Sequence, residues 1–346
     1  MSAPSVSSRV PLSHEIHDDL NRRHFVGAGL LTVLLAGCGA PVTTSGRPGA
    51  GDPWEFTDDA GTRIALPAHP RRITVDSFVC GALWDYGIRP IAVWGRTTAP
   101  GGTVHRDLGD ADLSTMDDLT GEAITEVNLE RLAAVAPEII VTFAYDGSPG
   151  WTAESQFDLI RGIAPVASVD IGNRPVRDIF AGFARIAEAL GGEPSAEAIG
   201  TARAGFDAAC ERLRVAAAQR PGLRLLAGDL DLVQGTGLWV NTPDWPLYAL
   251  LTELGVELVN AGFAEPSFVS EELLTEQRAD AILLINSNVD PAASYDSPVW
   301  QSLPAVRAGQ FAWPDQPPVL YSYDNYARLL DRITELLTAS RRLDPQ

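Results

Sequence analysis

The stretch SAEAIGTARAGFDAACERLRVAAAQR, residues 195–220, is a long helical pattern that decides the architecture of the chain. Its apolar positions recur at three- and four-residue spacing, at Ile199, Ala202, Phe206, Ala209, Leu213 and Ala216. Ser195 is placed to cap this helix, and Pro221-Gly222 ends it. About 25 residues at about 1.5 Å each predict a rod of about 38 Å, which would hold two halves of a protein apart.

Short β-rich segments alternate with helical ones before this helix. Strands are predicted at 72–75, 91–94, 138–143 and 165–169, and helices at 79–86, 129–135, 155–162 and 176–190. A small hairpin around Asp58-Asp59-Ala60-Gly61 precedes them. Because alternation of this kind is typical of a parallel sheet with helices on its faces, we predict an N-terminal α/β lobe over residues 53–193.

The same alternation restarts after the long helix. Strands are predicted at 223–227, 257–259, 281–285 and 310–313, and helices at 245–254, 271–277, 300–306 and 325–340. The predicted fold class is therefore α/β, with two α/β lobes joined by a single long α-helix. The linking helix is assigned to residues 194–220 and the C-terminal α/β lobe to residues 221–346.

The N-terminus carries an export signal. Arg22-Arg23 precedes an apolar run that is shorter than the about 20 residues needed to cross a bilayer, so residues 1–37 are predicted to be a cleaved signal peptide. The run ends in Leu35-Ala36-Gly37-Cys38, which resembles a bacterial lipobox and implies acylation of Cys38. Residues 38–52 are rich in Gly, Pro, Ser and Thr and are predicted to be a flexible tether.

The predicted location follows from this signal. The protein is expected to be exported and anchored by lipid to the outer face of the cell membrane. Residues 21–26 resemble a twin-arginine export motif, but an ordinary Sec signal with two arginines fits as well.

The chain is acidic, which excludes several classes of protein. It has 26 Lys+Arg against 45 Asp+Glu and a formal net charge of −19, so we predict no nucleic-acid partner. Cys80 and Cys210 show no redox or zinc spacing and are predicted to be small buried residues. Because only His69 and His105 lie beyond the signal, we predict no metal site and no cofactor.

Four segments together resemble one protein family. They are PAHPRRITVD (67–76), NLERLAAVAPEII (128–140), VSEELL with ADAI (269–274 and 279–282) and WQSLPAVRAGQ (300–310). The family is the periplasmic solute-binding proteins of iron–siderophore, haem and cobalamin ABC importers, here in lipoprotein form. The resemblance covers about residues 54–340 and implies a substrate-binding protein that delivers its ligand to an ABC permease and its ATPase. It also implies a ligand cleft between the two lobes and no enzymatic activity.

Two glutamates are singled out by this resemblance. Glu130 and Glu272 stand at motif positions that, in the family, dock into arginine pockets of the permease. Such charge-assisted pairs give orientation and encounter rate more than affinity. Glu271 competes with Glu272 for the second position, and the alternative for all three is a solvated first-turn residue favoured by the helix dipole.

Residues that follow the strands are expected to line the cleft, because ligands bind at the carboxyl ends of parallel strands. The predicted ligand-binding residues are Phe78, Trp94, Arg96, Tyr145, Trp151, Trp239, Trp245, Tyr321 and Tyr323. Polar neighbours considered with them are Asp76, Ser77, Thr97, Gln234, Asn286 and Asn288. Aromatic faces suit a bulky organic chelate, and Arg96 could bond its oxygens. Ordinary packing remains the alternative for each aromatic residue.

A ferric siderophore is the predicted ligand, with iron already wrapped by its chelator. The strand-end loops offer mainly Arg96, with Arg106 and Arg174 more distant, which favours a neutral or cationic chelate such as a hydroxamate over a tris-catecholate. Haem and cobalamin are alternatives, and haem would need an axial ligand from Tyr145, Tyr321, Tyr323 or His105. A surface-anchored enzyme on a related two-lobe fold is the alternative from another class, although no catalytic triad is recognisable.

Overall fold

A computed structural model of the chain describes residues 52–99, 101–145, 148–150, 154–231, 237–285 and 297–343. The predicted signal peptide, Cys38 and nearly all of the tether lie outside this range. The described chain opens with a hairpin of β1 (Trp54–Thr57) and β2 (Arg63–Leu66), which confirms the predicted hairpin. Asp58 in its turn accepts hydrogen bonds from the backbone N–H and hydroxyl of Ser168, at 3.0 and 2.9 Å, and so ties the hairpin to the first sheet.

The first lobe is built on a six-stranded sheet in which five strands are parallel. Its strands are β3 (Ile73–Asp76), β4 (Ala92–Trp94), β5 (Asp117–Asp118), β6 (Ile139–Tyr145), β7 (Ser148–Pro149) and β8 (Val166–Asp170). The order is β5-β4-β3-β6-β8, and β7 pairs antiparallel with the end of β6. Every residue of β3 is buried, as expected of a central parallel strand covered on both faces.

Four helices cover this sheet. They are α1 (Ser77–Asp85), α2 (Leu129–Ala134), α3 (Glu154–Ile163) and α4 (Val176–Ala189). Their bounds agree with the predicted helices to within about two residues, the usual uncertainty of helix ends. Helix α1 begins directly after β3, so the last residue of that strand is also the N-cap of the helix.

The long helix α5 (Glu197–Ala218) contains 22 residues and follows the first lobe. At about 1.5 Å per residue it is about 33 Å long. Its buried positions include Ile199, Phe206, Ala209 and Leu213, which confirms the predicted apolar face. The predicted cap was wrong, because the N-cap is Ala196 and no side chain caps this end.

The second lobe has a mixed sheet. Its strands are β9 (Arg224–Asp231), β10 (Gly237–Val240), β11 (Glu257–Leu258), β12 (Ser267–Ser270), β13 (Ala281–Ile285) and β14 (Phe311–Ala312). The order is β12-β10-β9-β13-β14, with β11 also pairing β9. Strands β9, β11, β13 and β14 form the predicted parallel part, whereas β10 and β12 were not predicted and extend the sheet antiparallel.

The structure describes five helices in this lobe. They are α6 (Pro246–Glu253), α7 (Glu271–Leu274), α8 (Pro298–Ser302), α9 (Pro304–Arg307) and α10 (Tyr323–Ala339). The single helix predicted at 300–306 was wrong, since Pro304 restarts the chain as a new helix. Proline disfavours helical geometry in the residue before it, and Leu303 is accordingly extended.

The C-terminal helix joins the two lobes a second time, through packing. Helix α10 lies along α5, and Asp331 pairs with Arg212 of α5 through two bonds of 2.8 and 2.9 Å. Just before α10, Leu320 packs against the first lobe so closely that a Cβ on Gly81 would lie 2.7 Å from its Cδ1. The same hydrophobic core therefore includes residues of both lobes and both long helices.

Cys80 and Cys210 are buried, as predicted, and they form no disulfide with each other. Within the described ranges, no helix is long and apolar enough to cross a membrane.

Candidate functional site

A small depression opens at the carboxyl ends of three first-lobe strands. It is lined by Asp76, Ser77, Phe78, Trp94, Gly95, Arg96, Ile124 and Phe143. The parallel register sets Asp76 of β3 beside Trp94 of β4, so the residues following these strands emerge together. This is the place where sheets of this type bind ligands, and we call it the first-lobe pocket.

Asp76 fixes the floor of the first-lobe pocket. Its carboxylate caps α1 by accepting from the backbone N–H of Phe78 at 2.7 Å, and it accepts from the Thr142 hydroxyl at 2.5 Å. It also lies 3.4 Å from the backbone nitrogen of Phe143. Burial raises the pKa of Asp76 to about 6, although these hydrogen bonds oppose the shift. One buried carboxylate thus holds α1 and β6 in register at the pocket.

A glycine shapes the turn after β4. Gly95 has a φ of +106°, and a Cβ there would lie 2.6 Å from the Ser77 hydroxyl oxygen. That hydroxyl instead accepts from the backbone N–H of Arg96 at 2.9 Å. Only glycine fits this close approach and this backbone conformation, so the turn is specified by Gly95 itself.

Asp118 braces the same turn from β5. It accepts from the hydroxyls of Thr97 and Thr120 at 2.6 Å each. Thr120 in turn accepts from the backbone N–H of Gly95 at 3.1 Å. Thr97, one of the polar residues considered from sequence, is therefore part of the frame behind the pocket.

The pocket combines aromatic faces with one guanidinium group. The rings of Phe78 and Phe143 lie 4.9 Å apart and tilted by 52°, and Arg96 stands over Phe78 at 5.4 Å. Trp94 is 4% exposed, so little of its side chain can reach a ligand. The sequence-predicted residues Phe78, Trp94 and Arg96 are thus brought together. Such a wall can bind a flat or rounded apolar guest and offer it N–H donors.

Tyr145, also predicted from the sequence, is not among the residues that line the pocket. Tyr145 is half-buried at the end of β6, and its hydroxyl lies 3.3 Å from the side-chain oxygen of Asn173. Trp151 lies outside the described residues. His105, considered as an axial haem ligand, is 9% exposed, and its Nδ1 accepts from the backbone N–H of Asp107 at 3.2 Å.

The second-lobe tryptophans occupy regular elements. Trp239 is half-buried within β10, where it pairs with Phe268 of β12 and Asp229 of β9. Trp245 precedes α6 and packs edge-on against Tyr248 at 5.0 Å. The polar positions Gln234, Asn286 and Asn288 lie outside the described residues. The ligand contacts predicted for both tryptophans stay predictions.

Tyr321 and Tyr323 lie in an aromatic cluster at the helical joint. Tyr321 is 2% exposed and stacks between Phe183 and Tyr326, with centroids 6.1 and 5.7 Å away. Burial raises its pKa well above the usual range. Tyr323 packs on Phe180 at 4.3 Å. Neither residue lines the first-lobe pocket, whereas Tyr323 also lines a second, open depression beside Arg185 and Arg203.

The two glutamates predicted to dock are both exposed, and each is the second residue of a short helix. Glu130 follows Leu129 in α2, which is capped by the Asn128 side chain at 3.0 Å. Glu272 occupies the same position in α7, and its pKa is lowered by its own backbone N–H and by Ser270.

The structure distinguishes Glu272 from its neighbour. Glu271 is 5% exposed and accepts a hydrogen bond from the Ser297 hydroxyl, so its carboxylate is turned inward. Of the two adjacent candidates, only Glu272 presents its carboxylate to solvent.

Sequence reasoning missed several pocket residues. Phe143 lies within a buried strand, and Ile124 lies in a loop without a clear pattern, so neither carried a signal. Gly95 could have been found, because a glycine directly after a strand often marks a close backbone approach. No group of three His, Cys, Asp or Glu residues able to hold a metal ion occurs in the part of the chain that the structure describes.

Comparison with solved structures places the fold among siderophore-binding proteins. The crystal structure of DesE, a ferric-siderophore receptor protein from Streptomyces coelicolor, matches with 29% identity and a TM-score of 0.76, covering 84% of this chain and all of that one. FeuA from Bacillus subtilis, a triscatecholate siderophore-binding protein, matches with 13% identity and a TM-score of 0.61, over 82% and 98% of the two chains.

PiuA from Streptococcus pneumoniae, an iron-uptake ABC transporter substrate-binding protein, matches with 15% identity and a TM-score of 0.57, over 81% and 97% of the two chains. No protein-family model and no curated protein sequence matches the chain. The structural neighbours are binding proteins of iron importers rather than enzymes. The chain thus has the two-lobe α/β fold of periplasmic binding proteins, with the pocket at the strand ends of its first lobe.

Proposed function

We propose that this protein is the substrate-binding lipoprotein of an ABC importer, that it captures a ferric siderophore and that it delivers it to the permease. The observation that carries the proposal is the match to DesE, which spans that whole chain with 29% identity. The first-lobe pocket supports it, since aromatic faces and a guanidinium suit an organic chelate. The lipid anchor at Cys38 rests on the sequence signal alone.

Delivery is proposed to use Glu130 and Glu272. Both carboxylates are exposed at equivalent positions of short helices, one in each lobe, so each can reach a basic pocket on a partner. Charge pairs of this kind steer and orient an encounter. Neither glutamate lines the first-lobe pocket, so substituting them is expected to impair delivery without impairing ligand binding.

Capture is tested by tryptophan fluorescence. The chain has eight tryptophans, and Trp94 lines the pocket, so a true ligand is expected to quench emission saturably. The protein is titrated with ferric siderophores of several chemical classes, with haem and with cobalamin. We expect a submicromolar dissociation constant, about −8 kcal/mol or tighter, for at least one ferric siderophore. Binding of haem or cobalamin in place of every ferric siderophore would contradict the proposal, as would no binding at all.

Delivery is tested by the double variant Glu130→Ala/Glu272→Ala. Uptake of radioactive iron is expected to fall about tenfold or more, since both oriented charges are lost, while ligand affinity stays unchanged. The control is Glu335→Ala together with Glu211→Ala, which removes two exposed carboxylates of the long helices. Normal uptake by the Glu130/Glu272 variant would refute the docking role.

A further inference from the structure

The arginine of the first-lobe pocket is paired with a fully buried acid. Asp107 is 0% exposed, and its Oδ2 lies 3.5 Å from Nη1 of Arg96. Neither carboxylate oxygen of Asp107 accepts a hydrogen bond from any residue that the structure describes. A buried carboxylate held by ionic contacts alone is unusual, because burying charge is costly unless it is compensated.

A local hairpin brings this pair together. After Arg96 the chain folds back on itself, and Thr97 accepts from the backbone N–H of His105 at 2.9 Å. Gly101 and Gly102 take positive φ values of 93° and 81° at the tip. The three residues Arg106–Leu108 then form a 3-10 turn that buries Asp107 beside Arg96. The pairing is therefore set by the fold of residues 96–108.

Arg96 is the counter-ion of Asp107, rather than the neighbouring histidine. His105 lies 3.4 Å from Asp107, but its Nδ1 already accepts the backbone N–H of that residue, so it cannot also donate from this atom. Burial lowers the pKa of His105, which keeps its ring neutral at pH 7. The positive charge facing Asp107 from this side thus comes from Arg96.

The remaining cations near the pocket also have acidic neighbours. Arg106 lies 3.5 Å from the carbonyl oxygen of Pro314 and interacts with Asp107, Asp315 and Asp229. Arg174 lies 3.3 Å from Asp59, a carboxylate that Arg185 shares. Each of these arginines therefore faces at least one carboxylate in the described structure.

The sequence segments that follow β6, β9 and β13 carry no basic residue. The chain contains no lysine, so every basic side chain is an arginine. Residues 146–153, 232–236 and 286–296, which follow β6, β9 and β13, contain no arginine. They contain Asp146, Asp290 and Asp296 instead.

We propose that Asp107 is a built-in counter-ion that cancels the charge of Arg96 and makes the pocket select electroneutral ferric chelates over trianionic ones. The inference rests on the proposed function and specifies its substrate class. With its charge offset by Asp107, Arg96 presents no strong charge mismatch to an uncharged complex. A trianionic complex would meet arginines that already face carboxylates. Its charge would also lie near Asp107, and like-charge contacts at interfaces cost several kcal/mol.

The first test compares two ferric complexes of different charge on the wild-type protein. A neutral ferric tris-hydroxamate and the trianionic ferric complex of a tris-catecholate are titrated by fluorescence at physiological salt. We expect the neutral complex to bind at least about a hundredfold more tightly, the scale of a strong electrostatic mismatch. Equal or tighter binding of the trianion would overturn the inference while leaving the proposed function intact. No binding of any ferric chelate would instead refute the proposed function.

The second test removes the acidic partner of Arg96. Asp107→Asn is expected to improve binding of the trianionic complex about tenfold relative to the neutral one, because the guanidinium loses its internal partner. Asp110→Asn, an equal charge change at an exposed position nearby, is expected to leave this ratio unchanged. The double variant Arg96→Gln/Asp107→Asn should lose the gain. A ratio that does not move in a folded Asp107→Asn protein would contradict the role of Asp107.

Folding is checked by circular dichroism before each titration. If Asp107→Asn does not fold, Arg96→Gln in the otherwise unchanged chain gives the same information. The inference then predicts that the trianion still binds poorly and that the neutral complex weakens about tenfold through lost hydrogen bonds. Tighter binding of the trianion to this variant than to wild type would be incompatible with it.

Discussion

The first-lobe pocket and the helical joint are both rich in aromatic residues, but the rings are placed differently in the two regions. In the pocket, Phe78 and Phe143 stand beside Arg96 at an open strand end. At the joint, Phe180 and Tyr321 belong to the shared core, and the rings around them fill the space between α4, α5 and α10. Aromatic residues after a strand therefore indicate a site only where polar groups and space accompany them.

The largest expected effect is a loss of stability when an aromatic residue of the helical joint is replaced. Phe180 is 1% exposed and contacts Phe206 of α5 and Tyr326 of α10, at 5.3 and 5.4 Å. Phe180→Ala should lower the free energy of unfolding by about 3–5 kcal/mol, since it leaves a cavity among three helices. Urea denaturation measures this change. Leu159→Ala, at a 56% exposed position of α3, should stay within about 0.5 kcal/mol.

If Phe180→Ala costs no more than the Leu159 control, the joint is not a packed core. The two aromatic regions would then be alike, and the contrast between them would be wrong.

The second prediction concerns the buried acid beneath the pocket. The pKa of Asp76 is raised to about 6 in the folded protein from its ordinary value of 3.8, so the folded state holds its proton more tightly than the unfolded chain does. The stability from this proton is fully present below about pH 4 and is lost as pH rises through about 6. For this group alone, the loss is on the order of 2–3 kcal/mol.

The measurement is urea denaturation of wild type and Asp76→Asn between about pH 4 and 7. The variant cannot ionise at this position, so its stability relative to wild type should rise by about 2–3 kcal/mol over that range. Asp117→Asn, at an exposed position of β5, controls for general charge effects. A difference that stays flat or falls with pH would contradict the assignment of a raised pKa to Asp76.

The smallest expected effect is a difference in ligand affinity between a variant of the pocket and a variant of the helical joint. Phe78→Leu should weaken binding of the ferric siderophore identified by fluorescence about tenfold, or about 1.4 kcal/mol, because the pocket loses an aromatic face. Tyr321→Phe removes only a hydroxyl at the joint and should change affinity less than twofold, about 0.4 kcal/mol. Equal losses of affinity in the two variants would show that Tyr321 contributes to ligand binding. The pocket and the helical joint would then not differ in this respect.

Much of the fold could be predicted from the sequence, because periodic apolar patterns fix element type. The long helix was predicted at residues 195–220 and lies at 197–218, and the buried run at 281–285 is a strand with the predicted bounds. The antiparallel strands β10 and β12 were missed. They are four residues each, and their partners are set by tertiary pairing rather than by local pattern.

The site was predictable only in part. Phe78, Trp94 and Arg96 were found because they follow strands whose carboxyl ends meet at one edge. Asp107 was not, because its burial beside Arg96 depends on the hairpin between them, and an acid in a polar loop is otherwise typical of a solvated surface. Tyr321 and Tyr323 satisfied the same strand-end rule but pack at the joint, a difference that depends on how α10 meets α4.

The most direct test of the central claim is a crystal structure of the protein with a bound ferric siderophore, in which anomalous scattering locates the iron. We predict a single iron peak over the first-lobe pocket, with the chelate in contact with Phe78 and Arg96 and no protein side chain coordinating the metal. An iron peak at the helical joint, or iron coordinated directly by protein carboxylates without a chelate, would contradict the account.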